Sequence, residues 1–385
     1  MADIEYDLVV VGGGVLGTFH AYHALKKGLK VALLEKDGMP QGATVRNFGQ
    51  VVPSGMNTKW QEYGRQSLRI YKKIQSKIDI SVRQEGSVYL ASNEEEVQLL
   101  EELRHINKEN DYTSILFTKT ECLQRYPGLN PKYVKAGLFF PEEITIEPRT
   151  MMEKVQYFLK KKGLQVYYNA KVVECNEIGG KVFVHVANGR SFISAKTIIC
   201  NGSEFKTLYP NLFSNSDLEV SKLQMLRTKP QPNYKLPGSL LTGLSIRRYE
   251  AFAECPSYVK IKSNEPLDSP EKKWGVHILF KQAMDGSIIL GDSHEYADVD
   301  KMDTLGFDLN MEIDNLIIAK SKEILDLPNY EIEQRWYGMY SQCKNSDIYQ
   351  NTVGKNIHIV TGIGGKGMTG SAGFSKMNIN NIFNF

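Results

Sequence analysis

Residues 4–35 constrain the fold more than any other stretch of the chain. Asp7-Leu8-Val9-Val10-Val11 is almost unbroken apolar sequence, as expected of a parallel strand buried on both faces. It runs straight into Gly12-Gly13-Gly14-Val15-Leu16-Gly17, after which a helical stretch from Thr18 to Lys27 stops at Gly28. A second apolar strand, Lys30-Val31-Ala32-Leu33-Leu34, ends on Glu35, 18 residues after Gly17. Strand, glycines, helix, strand and carboxylate in this order form a dinucleotide-binding unit. Gly12 permits the tight turn, Gly14 lets the backbone approach a pyrophosphate, and Gly17 lets helix and strand pack closely. The helix N-terminus offers free N–H groups and a partial positive charge to the phosphates, and Glu35 accepts from the adenosine ribose. The competing reading is an ordinary glycine-rich turn followed by a solvated Glu35.

After Lys36 the pattern departs into a loop, Asp37 to Gly49, and further nucleotide-fold pieces return only much later. A nicotinamide enzyme usually completes its nucleotide fold in one contiguous domain, so this interruption favours FAD. At about 100–200 residues per domain, 385 residues predict two domains. Lys plus Arg (47) against Asp plus Glu (44) leaves only +3, without the basic excess of a nucleic-acid binder. No run of about 18 apolar residues offers a membrane span. Cys122, Cys175, Cys200, Cys255 and Cys343 are scattered, with no C-x-x-C pair and no zinc-like spacing, so a reduced compartment and no metal ligand set are expected. The first strand begins by Ile4, leaving no room for a leader before it, and the cytoplasm is the expected location.

Downstream, the pattern predicts helices over 58–77, 94–109 and 149–162, the second carrying its charges on a solvated face. Strands are expected at 86–91, 136–140, 164–168 and 171–176, then a hairpin through Gly179-Gly180 and Asn188-Gly189. Lys196 to Gly202 reads as a buried strand ending in a small-residue turn, Cys200-Asn201-Gly202, placed to abut the phosphates. Residues 217–330 read as an α+β region with an antiparallel sheet, its strands near 220–228, 246–254, 274–281 and 287–292 and a helix at 310–325. A last strand, 356–360, runs into a second glycine turn, Thr361 to Gly370.

The fingerprint with Glu35, the Gly42-Ala43-Thr44 loop, the Cys200-Asn201-Gly202 strand end and the C-terminal glycine turn stand in one order. Together they resemble the D-amino-acid oxidase, glycine oxidase and sarcosine oxidase superfamily of FAD enzymes, over essentially the whole chain. Four stretches, Ala43 to Gly49, Gln224 to Thr228, Gly291 to Tyr296 and Arg335 to Tyr340, look like a narrower bacterial subgroup associated with aminophosphonate catabolism. The resemblance implies an α/β chain: a discontinuous Rossmann-type FAD-binding domain (1–80, 145–215 and 335–385) and an α+β substrate domain with a mainly antiparallel sheet (81–144 and 216–334). Carried over residue by residue, Gly12, Gly13, Gly14, Val15, Leu16 and Gly17 would hold the pyrophosphate, and Glu35 and Lys36 the ribose. Val172 would meet the adenine, and Asn201 and Gly202 would sit near the phosphates. Ala43, Thr44, Arg46 and Asn47 would line the approach to the flavin, and Gly365, Lys366, Gly367, Met368 and Thr369 would face its pyrimidine ring. There, helix N–H groups and the charge of Lys366 would offset the negative charge of reduced flavin, unless Lys366 simply faces solvent.

Two departures bear on the site. Where sarcosine oxidases tether the flavin through a cysteine, this chain has Gly338, so the FAD is expected to be non-covalent and Cys343 a bystander. Where glycine oxidases clamp the substrate carboxylate with an arginine, this chain has Tyr340. Candidate residues for the substrate are then Arg46, Asn47, Arg247, Tyr249, His277, Tyr340 and Lys366. Arg46 and Asn47 are favoured because their loop must pass the flavin. Arg247 and Arg248 also read as surface charges on a strand, His277 as a satisfied core histidine, and His294 as a turn residue. The expected activity is oxidation of a small anionic primary or secondary amine by hydride transfer to flavin N5, with 2-aminoethylphosphonate or an N-alkyl derivative the sharpest guess. The imine would hydrolyse to an aldehyde or keto product, and oxygen or an electron carrier would reoxidise the flavin. A 2-hydroxy-acid or polyol-phosphate dehydrogenase, and a nucleotide-binding protein without redox function, are the competing readings.

Overall fold

The computed structural model describes residues 5–266 and 268–385. The apolar N-terminal run is strand Glu5–Val11, central in an eight-stranded sheet. Five parallel strands stand in the order Ile357–Thr361, Ser191–Ile199, Glu5–Val11, Val31–Leu34 and Gln165–Tyr167. Tyr349–Val353 pairs antiparallel at one edge, and Val172–Ile178 and Lys181–Val186 add a hairpin on Ser191–Ile199. The sheet thus draws its strands from three separated stretches of chain. Leu8 and Val10 face one hydrophobic cluster and Val9 and Val11 another, which is why the strand shows no polar alternation.

Helix Val15–Lys26 starts at Gly14 and ends before Gly28, whose φ of +83° favours glycine. It packs against helix Gly367–Phe383, which in turn lies on Thr58–Gln75. Helix Thr58–Gln75 is capped by Asn57, whose side chain accepts from Trp60 N at 3.1 Å.

A second, nine-stranded sheet runs Glu295–Asp298, Leu218–Pro230, Ser287–Gly291, Leu279–Gln282, Ser239–Leu241, Ser87–Ala91, Ala136–Phe140 and Ile115–Thr118, with Ile332–Cys343 paired along Leu218–Pro230. All of its pairings are antiparallel except Ser239–Leu241 with Ser87–Ala91. Residues 335–343, grouped by sequence with the nucleotide-binding segments, therefore belong to a strand of this second sheet.

Three further expectations change. Residues 246–254 are not a strand; they include the end of helix Gly243–Ile246 and all of helix Glu250–Ala253. Ile246, Tyr249 and Phe252 recur every third residue, a helical spacing masked by the flanking charges. The strand expected from 274 begins only at Leu279, behind Gly275 at φ +57°. Helix Glu94–Glu109 forms where expected, but its acidic first turn is not merely solvated. Glu96 is buried, accepting from Ser92 N at 2.7 Å and from Arg247 Nε at 2.9 Å.

Glu143 lies in the core, where Ser54 N (2.8 Å), Tyr112 Oη (2.9 Å) and the Ser87 hydroxyl all donate to it. Burial nevertheless pushes its carboxyl up to about 7 from an ordinary 4.5. Between those values the folded chain retains a proton that the unfolded chain has released. The associated stability is complete below pH 4.5 and is lost as pH rises through about 7. Glu143→Gln is expected to flatten the fall in urea midpoint between pH 5 and 8, removing a contribution of about 2–3 kcal/mol. An unchanged pH slope in the variant would assign the fall to other groups.

Candidate active site

A continuous cavity of about 1000 Å³ runs from the first sheet to the second. At its first end the turn Gly12–Gly17 is tightly constrained. A side chain at Gly12 would strike the Cys200 carbonyl, and one at Gly17 the Gly12 carbonyl. Gly13 points its N–H at Glu35 Oε2 (2.8 Å), whose Oε1 accepts from Asp37 N (3.0 Å). Burial raises the Glu35 pKa while these two N–H groups lower it. The carboxylate thus shapes the turn as well as lining the cavity, together with Lys36 and Val172.

Gly12, Gly14, Val15 and Leu16 line the next part, and Gly14 at the helix N-terminus supplies no side-chain cap. Backbone amides are thereby presented to an anion. Asn201 and Gly202 face them; Asn201 Oδ1 is buried with no hydrogen-bond partner. The Gly202 carbonyl accepts from Thr361 Oγ1 (2.7 Å) and Ser341 Oγ (3.0 Å), tying this strand end to the C-terminal glycine turn. Gly13 and Gly17 act behind the cavity wall rather than in it.

Farther along, Ala43, Thr44, Arg46 and Asn47 line one side and Gly365 to Thr369 the other. Thr44 Oγ1 accepts from Val15 N (3.0 Å), joining loop to helix. Asn47 turns back on its own loop, donating to the Thr44 carbonyl (2.7 Å) and accepting from Gly49 N (2.7 Å). Arg46 donates from Nε to the Gln41 carbonyl (2.7 Å) and from a terminal nitrogen to the Tyr337 carbonyl (3.1 Å). Both favoured candidates are therefore committed largely to holding the loop against strand Ile332–Cys343. Lys366 is not simply solvent-facing: its Nζ meets Glu250 (2.6 Å) and Asp347 (3.0 Å), which offset its charge. The glycine turn keeps its backbone N–H groups at the start of helix Gly367–Phe383. Gly338 lies off the cavity, and a side chain there would strike the Tyr340 ring. Cys343 does line the cavity, its thiol pushed up to about 11 by burial, so it carries little thiolate.

At the far end stand Arg248, Tyr249, His277, Asp292, His294 and Tyr340. The Tyr340 hydroxyl is buried without a partner, and burial raises its pKa and that of Tyr249. Burial opposes ionisation of Asp292, but His277, His294 and Arg248 outweigh it and hold the carboxyl down at about 2. Burial pushes His294 down to about 3. Arg247 is not here: it is bound into Glu95 (2.9 Å), Glu96 (2.9 Å) and Glu265 (3.7 Å). Of Arg46, Arg248 and Lys366, only Arg248 has neither a carboxylate nor a backbone carbonyl as partner among the described residues; it donates to the Tyr296 hydroxyl at 2.6 Å.

A family model described as FAD dependent oxidoreductase matches residues 7–378. The chain belongs to the FAD dependent oxidoreductase family. FAD is thus the cofactor, and the cavity fits it: side-chain-free glycines at the turn, a helix start at Gly14 without a side-chain cap, and a buried carboxylate beside the turn. Among curated relatives, this family member is 26% identical over 238 residues to one of the subunits of opine oxidase from Rhizobium meliloti. That match covers 58% of this chain and 64% of the relative, less than two thirds of its length. The fold is similar to glycine oxidase from Geobacillus kaustophilus (TM-score 0.80, 16% identity, 99% of this chain and 95% of that one). It is also similar to L-alpha-glycerophosphate oxidase from Mycoplasma pneumoniae with FAD bound (TM-score 0.77, 18% identity, 98% and 95% covered). Among the described residues no helix is long and apolar enough to cross a membrane.

Arg248, Asp292 and His294 are the residues the sequence did not mark as functional. The one available signal was Gly291 to Tyr296, a stretch combining acid and histidine at the end of an apolar strand.

Proposed function

We propose that this family member oxidises a small anionic amine, and that Arg248 binds the anion. The observation carrying this reading is the cavity's far end, where Arg248 donates to the Tyr296 hydroxyl and, among the described residues, makes no hydrogen bond to a carboxylate or a backbone carbonyl. On this reading the first sheet and its helices form the FAD-binding domain, and 81–144 with 216–343 the substrate domain. Gly12, Gly14, Val15 and Leu16 would hold the pyrophosphate, Glu35 the ribose, and the amides of Gly365 to Thr369 the flavin's electron-rich edge. The cofactor is held non-covalently, since Gly338 has no nucleophile and the Cys343 thiol stays protonated.

Bound FAD supplies the redox chemistry, accepting a hydride from the carbon beside the amine nitrogen. The protein's part is to bind, aim and dry the substrate. The half-buried Tyr249 ring and the buried Tyr340 ring wall the far end, and Arg248 anchors the anion so that the carbon is presented toward the flavin loop. The imine hydrolyses to an aldehyde or keto product plus ammonia or an amine, and oxygen or an electron carrier takes up the electrons.

The opine oxidase subunit, which this chain resembles in sequence, supports an amine over a 2-hydroxy acid or polyol phosphate; the fold itself is shared with a glycine oxidase and a glycerophosphate oxidase alike. With Tyr340 where the resemblance leads one to expect a carboxylate-clamping arginine, a phosphonate fits better than a carboxylate: its three oxygens suit spread donors. 2-Aminoethylphosphonate or an N-alkyl derivative is the substrate we favour. Titrating the oxidised holoenzyme with non-oxidisable methylphosphonate and with acetate, followed by the flavin spectrum, tests this choice. Methylphosphonate is expected to bind at least about tenfold tighter, some 1.4 kcal/mol; tighter acetate binding would return the site to amino acids.

A further inference from the structure

His277, Asp292 and His294 come from two chain segments that run side by side. His277 N donates to the Asp292 carbonyl at 3.0 Å and His294 N to the Trp274 carbonyl at 2.9 Å, so the three side chains are set by backbone pairing. One donor atom from each lies within 4.8 Å of the others, and all three residues line the cavity. The two imidazoles stack, with centroids 5.2 Å apart and planes at 24°. His294 is held from behind, Nδ1 lying 3.1 Å from the Gly275 carbonyl, which leaves Nε2 as its free ring nitrogen. His277 is held likewise, Nδ1 lying 3.3 Å from Ser245 Oγ. Imidazoles that ligate metals are oriented in this way through the opposite nitrogen.

The decisive detail is Asp292 Oδ1. It is buried, with Asp292 only 5% exposed, and lies 2.7 Å from His277 Nε2 in a carboxylate–imidazole pair whose angle is poor for a hydrogen bond. The oxygen sits off the direction in which the ring nitrogen projects its proton or lone pair. Two donors that converge on a third point have this relation. A first-row divalent ion at ~2.1 Å from each would see them at about 80°, an angle of six-coordinate rather than tetrahedral geometry, with the ion and not the oxygen on the nitrogen's axis.

We propose that His277, Asp292 and His294 bind a divalent transition-metal ion of the zinc or cobalt class at the substrate end of the cavity. Two imidazoles and one carboxylate leave coordination positions open toward the cavity. The site stands on donor geometry alone. If the functional reading above also holds, an open position takes an oxygen of the substrate's anion, beside Arg248.

The test uses FAD-loaded protein dialysed against chelator and titrated with Co(II), followed by visible d–d absorption and equilibrium dialysis. The expected result is one Co(II) per chain, with X-ray absorption at the cobalt edge showing imidazole nitrogen. Asp292→Asn and His294→Gln, each checked for wild-type flavin content, are expected to weaken binding at least about 100-fold. A wild-type protein that takes up no stoichiometric Co(II), a bound ion without imidazole ligands, or binding unaltered in both variants overturns the site. None of these readouts depends on which compound is oxidised.

Discussion

Glu35→Ala is expected to purify largely colourless and to bind added FAD at least about 100-fold more weakly than the wild-type apoprotein. The size follows from the two jobs the carboxylate does at once. It accepts from Gly13 N at 2.8 Å and from Asp37 N at 3.0 Å, and it lines the cavity where the ribose would lie. Hydrogen bonds to a charged acceptor contribute about 1.5–3 kcal/mol each, and losing those that shape the turn leaves buried amides without partners. Lys36→Ala serves as the comparison: Lys36 is exposed and its ammonium meets only Asp37, at 3.2 Å, so little change in affinity is expected. Fluorescence quenching of FAD titrated into each apoprotein measures both. Wild-type affinity in Glu35→Ala would mean that the glycine turn keeps its shape without the carboxylate.

The second large effect is on substrate. Arg248→Ala is expected to raise KM for an anionic amine by about 30-fold, roughly 2 kcal/mol, and to leave flavin content unchanged. The figure is set toward the lower end for charge-assisted pairs because Arg248 is solvent-exposed and its charge is screened there. An amine lacking the anion should show almost no difference between wild type and variant. The comparison separates binding from structure, because a merely structural arginine would affect both substrates alike. Equal losses for the two amines, or flavin released with the arginine, would remove Arg248 from the substrate's anion.

The first end of the cavity was readable in the sequence because its parts lie within residues 4–35, where glycine spacing and strand periodicity each carry a local meaning. Helix Glu94–Glu109 was readable for the same reason, with Asn93 as its cap. The far end was not. Arg247 and Arg248 are neighbours in sequence, yet one is half-buried and bound by three glutamates while the other is exposed and borders the cavity. That difference depends on Arg247 and Arg248 standing in the turn between helices Gly243–Ile246 and Glu250–Ala253 rather than on an extended strand. Lys366 looked free because its partners, Glu250 and Asp347, lie 116 and 19 residues away. His277, Asp292 and His294 have no ligand-like spacing; only the pairing of their two segments brings them together.

The central claim is that this cavity oxidises an anionic amine. Anaerobic mixing of the holoenzyme with 2-aminoethylphosphonate, its N-methyl derivative, glycine, sarcosine, a 2-hydroxy acid and glycerol 3-phosphate, followed at the flavin band near ~450 nm, tests it most directly. The predicted result is bleaching by at least one of the aminophosphonates, faster than by either amino acid. Bleaching by the hydroxy acid or glycerol 3-phosphate alone, with every amine inert, would contradict it.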